Sequence, residues 1–453
     1  MNPVRRRLLE WAGAAAVINV LPQPAAAAAP IAAASTFGFD ASQMGVRAGS
    51  PDDQTASLQR AINRAAQARV PLALPPGVYR AGGLRLPSGA QLIGIRGATR
   101  LVFAGGPSLF AAEDAETVTL TGLLLDGLSR PLPPNHGLVH FEGTSGVRIA
   151  DCAIVASGRH GIRFTEVAGE VTRSSIADAA DAALLCTDAR GLTIAGNAIA
   201  NSGNNGIVII RSVAGPDGTM VLDNRIEDTR NHDGGSGQFG NAVNAYRAGD
   251  VIVRGNLIRR SAFSGVRGNS ASGIQIVGNT VYDCGETALY SEFGFEGAIV
   301  ANNIVDLAQT GVSITNFNEG GRLATVQGNI FRNLAPQSAN PGELNGIGIY
   351  VEADTAVTGN VVESADAAAI VIGWGRYLRD VAVTGNVVRK TPIGIAVSVV
   401  SGAGSALISA NVISQTERGA VVGMDHARPV TGDLTRDGAK SYAHLSITGN
   451  RAG

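Results

Sequence analysis

Short apolar segments that end in a Gly-Asn pair recur along most of the chain. Apolar and small polar residues alternate within them, as in Leu192-Thr193-Ile194-Ala195 before Gly196-Asn197. Alternation with a period of two is typical of short, half-buried strands. Successive copies are mostly 22 to 32 residues apart, and the Asn position is filled in turn by Cys152, Ser174, Asn197, Asn224, Asn256, Asn279, Asn302, Asn329, Asn360, Asn386, Asn411 and Asn450. A period in this range predicts a solenoid with one coil per repeat.

A second apolar segment usually begins with Gly-Ile, nine residues after the Asn. Examples are Gly161-Ile162-Arg163-Phe164 and Gly206-Ile207-Val208-Ile209. Neither segment has the length or the 3.6-residue period of a helix. The repeats therefore predict an all-β fold, a single-stranded parallel β-helix of about 13 coils and on the order of 60 Å long. Each coil would hold about three short strands, stacked in parallel on their copies in the next coil.

The repeated Asn has two physical explanations that act together. A tight corner between strands requires a residue that tolerates the left-handed backbone region, and Asn does so more readily than other non-glycine residues. Coils stacked about 4.8 Å apart also allow the amides to hydrogen-bond to one another as a ladder. We therefore interpret these Asn residues as structural and not catalytic.

Residues 1–34 have the features of an export signal. Val4-Arg5-Arg6-Arg7-Leu8-Leu9 is a basic start with consecutive arginines, and Trp11 to Leu21 is an apolar run too short to span a membrane. Ala25 to Ala34 offers several Ala-x-Ala cleavage sites. A twin-arginine signal is the favoured interpretation, with an ordinary Sec signal as the alternative. Either route predicts a periplasmic or secreted mature protein.

The repeats resemble the right-handed parallel β-helix proteins of the pectate-lyase-like superfamily over roughly residues 36–453. Together with the twin-arginine start, the chain resembles the uncharacterised Tat-translocated repetitive proteins. The first resemblance implies a right-handed coil whose open end is closed by a helix. Neither resemblance implies a particular reaction, because the paired Asp and Gly-His-Gly motifs of polygalacturonase-like hydrolases are missing and Arg159-His160-Gly161 is only a partial match.

Residues 35–110 are predicted to form the N-terminal cap and the first coils. Leu58, Ile62, Ala65 and Ala66 lie on one face of a helical pattern. Ser50 is the expected N-cap, followed by Pro51 and two acidic residues that suit the positive end of the helix. A cap is physically required, since an open β-helix end exposes core and unpaired strand edges. The repeats over residues 111–453 then form one elongated domain.

Charge and cysteine content narrow the possible partners. The net charge is −1 and the pI is near 6.6, which argues against nucleic acid or an anionic membrane as partner. We expect no membrane insertion of the mature protein and a monomer in solution. Cys152, Cys186 and Cys284 are odd in number and form no close motif, which predicts buried free thiols. No metal motif is present, so no cofactor is predicted, although calcium would be compatible with a lyase.

Two insertions break the period and indicate where a site would lie. The first spans residues 230–240 and the second spans residues 336–345; both precede a Gly-Ile strand, so they should overhang the same edge of one sheet. Period two then defines the outward residues between them. These outward pairs are Asn244/Tyr246, Arg267/Asn269, Tyr290/Glu292, Ser313/Thr315 and Gly348/Tyr350.

Aromatic and hydrogen-bonding side chains side by side are what a sugar chain requires. The predicted substrate-binding residues are Asn244, Tyr246, Arg247, Asn269, Thr315, Asn316, Tyr350 and Trp374. The predicted catalytic residues are Arg267, Tyr290, Glu292, Asp233 and Glu352. Hydrolysis would need two carboxyl groups at suitable separation, Glu292 with Glu352 or Asp233. β-Elimination would need a base and an arginine, for which Tyr290 and Arg267 are the candidates.

The favoured function is an exported protein that binds an acidic polysaccharide in a cleft on the central coils. Cleavage or modification there, by a polysaccharide lyase, glycoside hydrolase or epimerase, would be the corresponding enzymatic activity. The alternative is a non-catalytic periplasmic or cell-envelope scaffold or carbohydrate-binding protein. A further alternative is that this outward face carries only ordinary solvated strand residues.

Overall fold

The repeats fold into a parallel β-solenoid of about 14 turns, close to the 13 expected. The computed structural model describes residues 38–235, 237–336, 345–437 and 439–453, so the signal predicted at residues 1–34 lies outside the described residues. One sheet holds 16 strands in parallel order, which we term the first stack. Its strands are Phe39–Asp40, Leu72–Ala73, Ala90–Ile93, Val118–Thr121, Val147–Ala150, Gly169–Thr172, Thr193–Ala195, Met220–Leu222, Ile252–Arg254, Ile274–Val277, Glu296–Ala301, Arg322–Gln327, Thr355–Thr358, Val381–Thr384, Ala406–Ser409 and Leu445–Thr448.

The solenoid has two further walls, which we term the post-Asn stack and the Gly-Ile stack. They are joined in the coils where one strand continues through the corner from one wall into the other. The post-Asn stack comprises Gly77–Ala81, Thr99–Phe103, Leu124–Asp126, Ala153–Val155, Ser175–Ala177, Ala198–Ala200, Arg225–Glu227, Leu257–Ser261, Ile330–Leu334, Val361–Ala365 and Arg451–Ala452. The Gly-Ile stack comprises Leu84–Arg85, Phe110–Glu113, Gly137–Glu142, His160–Thr165, Leu184–Thr187, Ile207–Pro216, Val243–Gly249, Val266–Asn269, Ile347–Val351 and Ala368–Ile372. The strands Thr280–Glu292, Ile304–Ile314, Val387–Ser398 and Val412–Asp425 contribute to both stacks. An antiparallel strand, Arg428–Asp433, pairs with the last of these.

The core is a column of identical positions stacked from coil to coil. On the Gly-Ile stack, Leu184, Ile207, Val243 and Val266 lie in register and are fully buried. On each strand, the residues that alternate with these buried ones point outward, as an alternation with a period of two predicts. Because each aliphatic side chain packs on its copy above and below, burial repeats along the whole rod.

The predicted capping helix is present, but it begins later than expected. It spans Thr55–Ala68 and buries the predicted apolar face. The expectation that Ser50 is its N-cap was wrong: the Asp53 side chain accepts a hydrogen bond from the Thr55 N–H, and the Gln54 N–H donates to the Arg80 carbonyl. Pairing of this segment with the first coil keeps the backbone extended and delays the helix. Within the described residues, the other helices are Leu434–Asp437 and the 3₁₀ turns Ala41–Met44, Phe317–Glu319 and Ala439–Ser441.

The asparagine ladder is confirmed as a continuous chain of hydrogen bonds. In each rung, the backbone N–H and the Nδ2 of one Asn donate to the Oδ1 of the next, at 2.9–3.0 Å, as from Asn197 to Asn224 and from Asn360 to Asn386. The ladder Asn residues from Asn197 to Asn411 are buried, and those from residue 303 onward are fully so, whereas the terminal Asn450 is half-buried. An amide can both donate and accept, so it satisfies the corner backbone groups that burial would otherwise leave unpaired.

Two details of the ladder prediction were wrong. Asn303, not Asn302, is the ladder member, since it accepts from Asn279 and donates to Asn329. The left-handed residue is the one before each ladder Asn: Gly278 has φ 66° and Asn302 has φ 58°. At each corner, the Gly position adopts the left-handed backbone conformation and the Asn position makes the hydrogen bonds. This division explains why the sequence repeats Gly-Asn as a pair.

The three cysteines agree with expectation. Cys152, Cys186 and Cys284 are buried free thiols, and burial raises the pKa of the Cys152 thiol to about 11. They act as small apolar side chains in the core. In the part of the chain that the structure describes, no helix is both long and apolar enough to cross a bilayer.

Candidate functional site

The outward face of the Gly-Ile stack carries two cavities on neighbouring coils. The upstream cavity has a volume of about 590 Å³ and lies under the first insertion; it is lined by Asn244, Tyr246, Asn269 and Asp233 among others. The downstream cavity has a volume of about 420 Å³ and is lined by Tyr290, Thr315, Asn316, Tyr350, Glu352 and Trp374 among others. Apart from Glu292 and Arg247, each predicted site residue therefore lines one of the two cavities or, like Arg267, lies at their junction.

A larger cavity of about 770 Å³ lies elsewhere, on the outer face of the first stack. Aliphatic and small residues such as Ile299, Leu323 and Ala356 form most of its surface. Asp354 at its edge already pairs with Arg379 and Arg322. Because this groove offers few free polar groups and none of the predicted residues, it is a poor candidate for chemistry.

The strand register corrects one outward pair. Asn244, Arg267, Tyr290, Ser313 and Tyr350 form a single row across consecutive coils. The expected pair Gly348/Tyr350 was wrong, because the outward pair of that coil is Tyr350 and Glu352. The misassignment arose because Gly346-Ile347-Gly348-Ile349 contains the Gly-Ile signal twice, and the second copy is the one in register with Gly311-Val312.

In the downstream cavity, Ser313 is the small residue between two tyrosines. Tyr290 and Tyr350 stand one coil before and one coil after it, so their Cα atoms are about 10 Å apart at the usual strand spacing. The Ser313 and Thr315 hydroxyls hydrogen-bond to each other at 3.2 Å on the floor. Burial raises the pKa of both tyrosines, so both keep their hydroxyl protons at neutral pH.

Glu352 is the buried carboxyl group of this cavity. Its Oε1 accepts a hydrogen bond from the Tyr350 hydroxyl at 3.0 Å, and its Oε2 accepts one from the Phe317 N–H at 2.7 Å. Burial raises the pKa of Glu352, although both hydrogen bonds act in the opposite direction. The same contacts fix the 3₁₀ turn Phe317–Glu319, so Glu352 orders one wall of the cavity whatever its chemical role.

Two short turns complete the downstream rim. Asn316 adopts a left-handed conformation, with φ 73°, and its Oδ1 accepts from the Phe293 N–H at 3.1 Å. Trp374 and Tyr377 exchange backbone hydrogen bonds across a tight turn, at 3.2 and 3.0 Å. Tyr377 was missed by the sequence reasoning; the signal was an aromatic residue on each side of Gly375-Arg376 directly after a strand. Residues 337–344 of the second insertion lie outside the described residues, and Asn345 lines the cavity.

The two cavities meet at a buried ion pair. The Arg267 Nε and Nη2 both lie 2.6 Å from the Glu292 Oε1, which also accepts from the Asn269 Nδ2 at 3.0 Å. The guanidinium lies over the Tyr290 ring at 5.3 Å. Glu292 is only 2% exposed, so its carboxylate is paired with Arg267 and does not form part of the cavity surface.

The first insertion forms the roof of the upstream cavity. The Gln238 carbonyl accepts hydrogen bonds from the Nδ2 of Asn205 and of Asn244, at 3.1 and 3.2 Å. Gly237 lies so close to the Arg267 guanidinium that a side chain there would collide with it. Two buried polar atoms under this roof have no hydrogen-bond partner, Asn244 Oδ1 and Arg267 Nη1.

A cluster beside this roof was missed from the sequence apart from Asp233. The Asn204 Nδ2 donates to Asp181 Oδ1 and to Asp233 Oδ2, each at 2.9 Å. The His160 Nε2 lies 3.7 Å from the Asp181 Oδ2. Of these residues, His160, Asp181 and Asp233 line the upstream cavity. No motif could have revealed the cluster, because its members come from four consecutive coils and meet only when the coils stack.

Arg247 lies at the edge of the site, exposed to solvent. Its guanidinium is 4.9 Å from the centre of the Tyr246 ring. The structure therefore brings Asn244, Tyr246, Asn269 and Asp233 together upstream, and Tyr290, Thr315, Asn316, Tyr350, Glu352 and Trp374 together downstream. In the described residues, no group of three or more His, Cys, Asp or Glu side chains is arranged to hold a metal ion.

The sequence model of the family described as "Right handed beta helix region" matches residues 133–238 and 213–388, more than half of the chain. The chain belongs to this family. This right-handed β-helix confirms the predicted fold class and coil handedness. No curated protein matches the sequence significantly.

Solved structures similar to this right-handed β-helix come from phages and bacteria. The pre-mature gene product 12 of bacteriophage phi29 has a TM-score of 0.52 at 13% identity, covering 86% of this chain and 65% of that one, so the chain spans less than two thirds of it. The Dettilon tailspike protein has a TM-score of 0.50 at 15% identity, covering 83% and 68%. The A-module of the Azotobacter vinelandii mannuronan C-5 epimerase AlgE6 has a TM-score of 0.43 at 15% identity, covering 92% and 99%. At these identities the similarity shows the fold alone.

The titration of Glu352 gives a first prediction. Its raised pKa means that the folded protein retains a proton where the unfolded chain, with the ordinary value of 4.5, has lost it. The stability from this group is therefore full below pH 4.5 and is lost as the pH rises through the raised pKa. We expect Glu352→Gln to gain stability relative to the wild-type protein as the pH increases from about 4.5, measured by urea unfolding at a series of pH values.

A matched control is Glu363→Gln. Glu363 is exposed, and its hydrogen bond with Lys390 lowers its pKa. The stability from Glu363 is present above the ordinary pKa and is lost as the pH falls, so this variant should show the opposite trend. A Glu352→Gln effect that stays constant across the pH series would contradict the assignment.

Proposed function

We propose that the protein binds a polysaccharide along the outward face of the Gly-Ile stack, with one sugar ring held between Tyr290 and Tyr350. The observation that carries this proposal is the row in which the small Ser313 separates the two tyrosines. The Cα atoms of the two tyrosines are about 10 Å apart, which leaves room for a pyranose ring above the serine. Aromatic side chains supply apolar area with a polar tip, which suits a ring that has both C–H faces and hydroxyls.

The polar groups around the slot match the hydroxyls of a sugar. Thr315 and Ser313 lie on the floor, and Gln309, Asn316 and Asn318 line the sides. These side chains both donate and accept, so they can pair with hydroxyls in several orientations. The elongated face, with a second cavity one coil upstream, favours a polymer over a single small molecule.

An acidic polymer is favoured by the upstream cavity. Arg267 is the one arginine at the floor of the two cavities in the described residues; its buried Nη1 has no hydrogen-bond partner and lies 4.0 Å from the Glu286 Oε2. A guanidinium N–H that is not hydrogen-bonded can donate to a carboxylate oxygen of a uronate unit. We further propose that binding takes place outside the cytoplasm, which rests on the twin-arginine start of the sequence.

Replacing the slot tyrosines tests the proposal. We expect Tyr290→Ala and Tyr350→Ala each to weaken binding to the polymer that retards the wild-type protein by about tenfold. The reason is the loss of roughly 1.5 kcal/mol of contact between the tyrosine ring and the sugar. The measurement is affinity electrophoresis through gels that contain polygalacturonate, alginate, hyaluronan, xylan or dextran. The acidic polymers should retard the wild-type protein, and dextran should not.

The control is Tyr282→Ala on the same strand as Tyr290. Tyr282 is 42% exposed and belongs to the post-Asn stack, facing away from both cavities. Its loss should leave retardation unchanged. Equal effects of the three substitutions, or no retardation of the wild-type protein by any polymer, would refute the proposed function.

A further inference from the structure

From the upstream cluster we infer that Asp181 and Asp233 form the carboxyl pair of a glycoside-hydrolysing centre. This inference rests on the proposed function, since it places the reaction on the same polysaccharide-binding face. Both carboxylate oxygens are 2.9 Å from the single nitrogen Asn204 Nδ2, so they are at most about 5.8 Å apart. This upper limit accommodates the separation of about 5–5.5 Å between the carboxyl groups of glycosidases that retain the anomeric configuration.

Asn204 holds this pair from both sides. The Asn204 Oδ1 accepts a hydrogen bond from the Asp233 N–H at 3.0 Å, while its Nδ2 donates to both carboxylates. Asn204 itself is 1% exposed, so its position is fixed by the coil. Asn204 is thus a positioning residue that ties Asp233 of the insertion to the corner before the strand Ile207–Pro216.

The two carboxyl groups differ in their surroundings, which assigns their roles. Asp181 is oriented by Asn204, by Arg159 and by His160, whose Nε2 lies 3.7 Å away. The Ala182 N–H donates to the His160 Nδ1, and burial lowers the pKa of His160 to about 4, so the neutral ring carries its proton on Nε2, facing Asp181. Asp233 lies on the exposed insertion, open to water and to a leaving group.

A ligand is also indicated by a polar atom outside this cluster. Asn244 lines the same cavity and is 7% exposed, yet its Oδ1 has no hydrogen-bond partner. A buried acceptor without a partner costs stability unless a ligand or water donates to it. A sugar hydroxyl in the upstream cavity would satisfy Asn244 Oδ1 and could reach the carboxyl pair.

The chemistry needs only water as co-reactant. An Asp181 carboxylate oxygen attacks the anomeric carbon, and the glycosidic C–O bond breaks as the leaving oxygen takes a proton from the Asp233 carboxyl group. Asp233, now ionised, accepts a proton from water, and the water oxygen attacks the same carbon. The ester bond to Asp181 breaks, and its carboxylate is restored.

The test measures reducing ends released from the polymers that retard the wild-type protein. We expect Asp181→Asn and Asp233→Asn each to lower turnover by about 1,000-fold or more, with retardation in the affinity gel maintained. Asparagine keeps the shape of the side chain, and its oxygen can still accept from Asn204. The product anomer, followed by NMR at early times, should retain the configuration of the substrate.

The matched control is Asp178→Asn, with a similar contact outside the cavity. The Asn201 Nδ2 donates to Asp178 Oδ1 at 3.2 Å, three residues before the Asn204–Asp181 contact on the same two coils. Its turnover should equal that of the wild-type protein. Retardation without any release of reducing ends, an inverted product, unsaturated products or unchanged turnover in either Asp variant would overturn the inference and leave the proposed function standing. Absence of retardation would refute the proposed function instead.

Discussion

Arg267→Ala is expected to lower the free energy of unfolding by about 3–5 kcal/mol. Arg267 and Glu292 are 8% and 2% exposed. The Glu292 Oε1 is contacted by the Arg267 Nε, the Arg267 Nη2 and the Asn269 Nδ2. Removal of the guanidinium leaves the Glu292 carboxylate buried, with the Asn269 amide as its remaining side-chain hydrogen-bond donor among the described residues. An isolated buried charge is far more costly than the pair is stabilising, which is why the loss should be large.

A surface pair with the same geometry is the appropriate control. Arg190 and Glu166 are also 2.6 Å apart, but their side chains are 62% and 53% exposed. Arg190→Ala should therefore cost no more than about 1 kcal/mol. Replacing both Arg267 and Glu292 by apolar residues should cost much less than Arg267→Ala alone, since no charge remains buried. Equal losses for Arg267→Ala and Arg190→Ala in urea unfolding would mean that Glu292 is solvated.

Asn303→Ala is expected to destabilise the central coils by about 2–4 kcal/mol. The Asn303 Oδ1 accepts from the backbone N–H and the Nδ2 of Asn279, and its Nδ2 donates to the Ile276 carbonyl and to Asn329 Oδ1. Truncation leaves several of these groups buried and unsatisfied. Amide hydrogen exchange at Asn279 should accelerate most, because its N–H loses its acceptor directly.

The neighbouring Asn302 supplies the control. It is exposed and left-handed, with φ 58°, and is not a ladder member. Asn302→Gly keeps this backbone conformation available and removes no ladder contact, so we expect a change of less than about 0.5 kcal/mol. If the Asn302 variant were the more destabilising of the two, the ladder would not pass through residue 303.

Much of the candidate site follows from period two alone. Once Tyr290 and Arg267 are known to occupy the outward position of adjacent Gly-Ile strands, their contact at 5.3 Å is a direct result of stacking. The outward rows were therefore predictable apart from the coil with two Gly-Ile signals. What the pattern does not contain is the partner of each side chain, and Glu292 illustrates this, because its ion pair with Arg267 depends on burial under the first insertion.

The sequence by itself determined the repeat, the parallel stacking, the inward and outward positions and the asparagine ladder, since each follows from local alternation copied at a nearly constant interval. The tertiary structure alone decided which of two adjacent Asn residues enters the ladder, where the capping helix begins and how Asn204 joins Asp181 to Asp233. The physical reason is that these contacts link residues 23 to 29 positions apart through side-chain geometry. That geometry depends on the turn conformation of the insertions, which obeys no period.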